Sequence, residues 1–72
     1  MVFDEREGES GAERDARLMN EYMELGKEVG RITDLGELRT SNRYRRFIHI
    51  GDYLRTLNGE QIIKALDYDL FR

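Results

Sequence analysis

Arg39, Arg43, Arg45, Arg46, His49 and Arg55 place six basic side chains in one stretch of this 72-residue chain. Tyr44 and Phe47 are threaded between them. Arginine beside aromatic rings can do two kinds of chemistry. Guanidinium groups clamp phosphates while rings stack on bases, or the same residue types anchor a protein–protein interface. Which applies depends on whether rings and guanidinium groups share a face.

Other chemistries find little support. With no Cys, the chain has no disulfide, thiolate nucleophile or thiolate metal ligand. His49 is the one histidine, and Asp52 follows it at helical spacing. Arg45 and Arg46 oppose a cation there, and a tetrahedral zinc site needs further ligands. No Gly-rich phosphate loop, Gly-x-Ser-x-Gly elbow or His-Glu-x-x-His pair occurs. The carboxylates fall mostly on expected wet faces, where nothing would raise a pKa. We therefore expect no catalytic residue, no metal site, no cofactor and no small-molecule substrate.

The elements that must position these side chains are legible from periodicity and caps. "SGAE" is a capping box, with Ser10 as N-cap and Glu13 expected to reach back. Leu18, Tyr22, Leu25, Val29 and Ile32 then step at coiled-coil spacing, and Met19 and Met23 broaden the stripe. Gly26 and Gly30 sit near its edge. The pair either admits a second helix closely or ends the helix with Gly30 as its C-cap. "DLGE" offers Asp34 as the N-cap of one short turn of helix near 35–39, which would carry Leu35 and Leu38 inward. Thr40 or Ser41 caps the arginine segment.

A hairpin over 29–50 is the alternative for that segment, because "RFIHI" is rich in strand formers. Strict alternation fails, whereas a helical wheel sorts the residues well. Tyr44, Phe47, Ile48, Gly51, Leu54 and Leu57 share one side, with Ile50 at its edge. Arg45, Arg46, His49, Asp52 and Thr56 share the other. A helix near 42–57 follows, with both aromatics turned inward. "LNGEQ" closes it on left-handed Asn58 or Gly59, and Asn58 with Gln61 opens a last helix near 60–70. Ile62, Ile63, Leu66 and Leu70 define the buried side of that helix, with Ala65 beside them.

The expected fold is all-α: a small bundle of three helices plus one short helical turn. Residues 1–9 form a flexible tail and 10–72 a single helical domain. The expected core is Leu18, Tyr22, Leu25, Val29, Ile32, Leu35, Leu38, Phe47, Ile48, Leu54, Leu57, Ile62, Ile63 and Leu66. A chain this short buries only about 60% of its unfolded surface, so association is the natural source of extra stability. Self-association is expected through the first helix, by Leu18, Tyr22, Leu25, Gly26, Val29 and Gly30.

Charge shapes the functional expectation. Residues 1–38 carry eleven acidic and five basic side chains, residues 39–72 four and seven, for a net charge of −3. Opposed acidic and basic surfaces suit docking or head-to-tail packing. No run is long and apolar enough for a membrane span, the acidic N-terminus is unlike a signal peptide, and the absence of Cys fits a cytoplasmic setting. The expected function is a non-enzymatic protein-interaction module, a regulator, adaptor or inhibitor. It would bind a protein partner or a second copy through amphipathic helices and the face of Arg39, Arg43, Arg45, Arg46, His49 and Arg55. The alternative is nucleic-acid binding by a helix–turn–helix-like C-terminal half, with Arg39–Arg55 as its basic face. A pI near 5.1 and the inward aromatics weigh against it.

Overall fold

Ser10 opens the first helix as its spacing dictates. In the computed structural model, which describes residues 6–71, Ser10 Oγ accepts from the Glu13 N–H at 3.2 Å and α1 runs Gly11–Val29. Asp34 does the same for α2, Leu35–Thr40, accepting from the Gly36 N–H at 2.8 Å. Ser41 caps α3, Asn42–Leu54. The capping box of α4, Gly59–Phe71, closes in both directions: Gln61 N–H donates to Asn58 Oδ1 and Asn58 N–H to Gln61 Oε1, each at 2.9 Å. The fold is all-α. The hairpin alternative does not form, and no strand occurs among the described residues.

Several local expectations are corrected. The Glu13 carboxylate accepts from Tyr68 OH at 2.7 Å, an inter-helix bond from α4 to α1. α3 stops at Leu54 rather than 57. Thr56 Oγ1 donates to the Tyr53 carbonyl at 2.6 Å, and Thr56 and Leu57 N–H groups make tight i→i−3 bonds there. A hydroxyl competing for a backbone carbonyl favours such a stop. Gly59 is not left-handed; Gly8, with φ of 79°, is the one positive-φ glycine among the described residues. Gly30 does cap α1, but in right-handed conformation.

Of the expected tail over 1–9, the first five residues lie outside the described range. Glu9 is gripped by Arg17 through two bonds, Nε to Oε2 at 2.9 Å and Nη2 to Oε1 at 2.8 Å.

α1 is the common floor: α3 and α4 each pack along it rather than on one another, and α2 packs on α3. A third side of the bundle is left open. Leu18, Ile50 and Ala65 are fully buried, with Ala16 and Asp15 nearly so. Ile50, expected at an edge, is central because Phe47, Ile50, Gly51 and Leu54 form the face α3 turns to α1. Ile48 stands about 200° round the helix from Ile50 and is exposed. Leu35, Ile62, Ile63 and Leu66 were likewise expected in the core and are exposed. A single neighbouring helix cannot cover so broad an apolar arc.

Candidate interaction surfaces

The arginine stretch divides into structural and surface groups. Arg43 Nη1 pairs with Glu28 Oε2 at 3.1 Å, and Arg46 Nε donates to Glu21 Oε2 at 2.7 Å. Both contacts link α3 to α1; Arg46 is one-third exposed in its pair, whereas Arg43 stays 69% exposed and remains on the surface. Among the described residues no carboxylate pairs with Arg39, Arg45, His49 or Arg55. Arg39, Arg45 and His49 line one shallow depression with Tyr44 and Ile48. Arg55 caps the far end of α3. The aromatics divide as well. Phe47 turns inward and stacks on Tyr22, with ring centroids 4.4 Å apart and planes 16° from parallel. Tyr44 is half-buried and lines the basic depression, beside the arginines rather than away from them.

The seam of α1 is occupied within the chain. Leu18 has no exposed surface, and Tyr22 is covered by Phe47. A Cβ on Gly26 would lie 3.8 Å from the Phe47 ring, so this glycine faces α3. Leu25 and Val29 are half-buried and Gly30 is exposed at the helix end. The expected self-association surface is thus the surface on which α3 and α4 dock. Leu18 has no surface left for a second copy, whereas Tyr22, Leu25, Gly26 and Val29 are half-buried against α3 and α4.

Ile62, Ile63, Leu66 and Leu70, the expected buried side of α4, are exposed together. Ile62 is 36% exposed, Leu66 51%, Ile63 60% and Leu70 76%; across a groove, Met23 of α1 is 61% exposed. That groove encloses about 260 Å³, with Met19, Tyr22 and Met23 as floor and Leu54, Ala65 and Leu66 as walls. Asn20 Nδ2 donates to Asp69 Oδ1 at 3.2 Å along its rim. A signal was present in the sequence. Ala65, Ile62, Leu66, Leu70 and Ile63 sweep about 160° of the helix, against roughly 100° for a helix docked on one face.

One buried acid also escaped sequence reasoning. Asp15, 3% exposed, accepts from Tyr53 OH at 2.6 Å and from Arg14 Nε at 3.2 Å. Arg14 lies over the Tyr53 ring, 5.5 Å from its centroid. Burial, then the bond to Asp15, hold the Tyr53 hydroxyl above the ordinary tyrosine range. The cluster is saturated: among the described residues no buried side-chain N or O lacks a partner. It locks α3 to α1 and offers no open position to a substrate. Among the described residues no His, Cys, Asp or Glu group is arranged to hold a metal, and no helix is long and apolar enough to cross a membrane. No family model, curated protein or solved structure matches the chain.

Proposed function

We propose that this chain is a non-enzymatic helical interaction module acting in the cytoplasm, and that it docks through the apolar face of α4 with the groove beside it. The observation that carries this is the exposure of Ile63, Leu66, Leu70 and Met23 on adjoining helices. An apolar surface of this kind, flanked by Glu60 and Asp67, is the usual mark of an interaction site. Arg39, Arg45, His49 and Arg55 add a separate basic surface that steers acidic partners. Arg46 also braces α3 on α1 through Glu21, and Arg43 extends the basic surface while pairing with Glu28.

Affinity capture from the source cell tests the proposal. Leu66→Asp with Ile63→Asp should abolish specific capture. Arg39→Glu with Arg45→Glu should slow association and weaken its salt dependence. A capture profile untouched by the α4 pair would overturn the docking face.

Nucleic-acid binding is kept as a second reading because Arg39, Arg45 and Tyr44 share one depression. In a DNA-reading helix–turn–helix the second helix enters the groove. Here that helix, α4, carries Glu60, Asp67 and Asp69 against Lys64, which phosphates would repel. Binding to duplex and single-stranded DNA weaker than about 10⁻⁴ M at low salt would remove this reading.

A further inference from the structure

We infer that the basic depression on α3 receives α4 of a second copy of this chain, packed antiparallel to α3, so that copies join head to tail. The inference rests on the proposal that the α4 face is the docking surface, and it names what that face docks on. The two surfaces are opposite in charge and alike in apolar content. The depression is lined by Tyr44 and Ile48 together with Arg39, Arg45 and His49. The α4 face presents Ile63 and Leu70, and the charges flanking them, Glu60 and Asp67, are both acidic. Among the described residues no carboxylate pairs with Arg39, Arg45 or His49, and no cation pairs with Asp67. Each surface therefore carries unneutralised charge that the other can meet.

Within one chain the two cannot come together. Ala65 seats α4 on α1, and Ile50 does the same for α3. Ile48 stands on the far side of α3 from Ile50, so the depression looks away from α1 and α4. The depression also shares no lining residue with the groove beside α4. One molecule can thus offer its α4 to one neighbour while its depression holds the α4 of another. Such a contact is heterologous, and it propagates rather than closing on a pair.

Charge also selects the direction of packing. On a helix turning 100° per residue, Arg45 and His49 follow Ile48 by about 60° and 100° round α3. Asp67 and Glu60 follow Ile63 in the same sense round α4, by about 40° and 60°. When two helices pack face to face, flanks of the same sense meet only if the helices run antiparallel. With Ile48 seated between Ile63 and Leu70 of the second copy, Asp67 of that copy falls between Arg45 and His49. Parallel packing would set Asp67 against the flank of Tyr44 and Gly51 and leave Arg45 facing Leu66. A stable interface buries roughly 800 Å² per partner, more than one thirteen-residue helix laid along another supplies. A dissociation constant of about 10–100 µM is accordingly expected.

Sedimentation equilibrium of the full chain across a concentration series tests the inference. The average mass of the parent should climb past that of a dimer. Ile63→Asp and Ile48→Asp, each at an exposed position, should keep the far-UV helical signal and weaken self-association at least tenfold. Mixed in equal amounts, the two variants should form a heterodimer of near-parental affinity and stop there, because the mixture holds one intact α4 face and one intact depression. Arg45→Asp and Asp67→Arg should each weaken assembly by roughly tenfold, and the double swap should restore it to within about twofold. A parent monomeric up to about 1 mM overturns the inference. So does a parent whose mass levels off at a dimer, a mixture no more associated than its components, or a double swap no better than the single ones. If the chain is monomeric and Ile63→Asp with Leu66→Asp still abolishes capture of another protein, the docking face survives and the second copy alone is excluded.

Discussion

Gly26 and Gly51 look alike in sequence, as small residues on apolar helix faces, but their surroundings are opposite. A Cβ on Gly51 would lie 3.0 Å from Tyr22 Cε2, with the phenol atoms close behind. Tyr22 is pinned there by its stack on Phe47, so it cannot retreat without losing that contact. Gly51→Ala should destabilise the fold by about 1–3 kcal/mol through overpacking. At Gly26 the added methyl would meet the Phe47 ring at 3.8 Å, an ordinary contact. Gly26→Ala should stabilise by about 0.5–1 kcal/mol, because the helix interior loses a costly glycine. Urea unfolding of the two variants beside the parent checks both signs. Tyr53 makes a second prediction at this scale. Its pKa is raised by burial and by the Asp15 bond, so the folded state favours the protonated phenol. That stabilisation is intact below the ordinary tyrosine range and is lost as pH rises through the folded value. Alkaline unfolding curves should show this loss, and Tyr53→Phe should flatten it. The variant should also start less stable by about 1–3 kcal/mol, since a buried carboxylate loses a bond.

The helices themselves follow from local chemistry that needs no tertiary information. Ser10, Asp34, Ser41 and Asn58 each accept from the N–H groups their spacing selects, and such caps are readable wherever side chain and backbone sit three residues apart. The inner faces were harder. α1 was read correctly around Leu18, because its stripe is narrow and its flanks are charged. α4 was misread because a wide apolar arc looks the same whether one helix or two cover it. Helical spacing puts Ile62, Ile63 and Leu66 on one expected buried side, whereas only Ala65 of that helix is fully covered. Asp15 was unreadable for a different reason: its burial depends on Tyr53, thirty-eight positions away. The division of the arginines is likewise tertiary, set by Glu21 and Glu28 on α1. The turn before α1 yields a prediction at this scale. The bond from Arg17, with burial opposing, holds the Glu9 carboxyl below the ordinary glutamate range. A depressed carboxylate stabilises the turn above its unfolded pKa and loses that contribution as pH falls through the folded value. Side-chain NMR titration should place the Glu9 midpoint lower in the parent than in Arg17→Gln. In the variant, amide protection around Glu9 should already be weak at neutral pH.

At the scale of the molecule, the balance between core and exposed apolar surface decides the behaviour. Only two large side chains, Leu18 and Ile50, are completely buried, and a chain of this length leaves a large share of its surface wet. The solitary molecule should therefore be marginally stable, with few apolar contacts to set against chain entropy. Covering Ile63, Leu66 and Leu70 would add apolar burial at roughly 25 cal/mol per Å² without ordering any further backbone. If association supplies that burial, the folded state is linked to protein concentration by mass action. The melting temperature of the parent chain should then rise steadily as concentration is raised through the micromolar range. Leu66→Asp should melt at one temperature throughout, close to the parent's dilute limit, because Leu66 contributes little inside the monomer. Differential scanning calorimetry at several concentrations measures this directly. A parent melting temperature independent of concentration would mean that the three-helix core is sufficient alone, and that the apolar face of α4 awaits another protein.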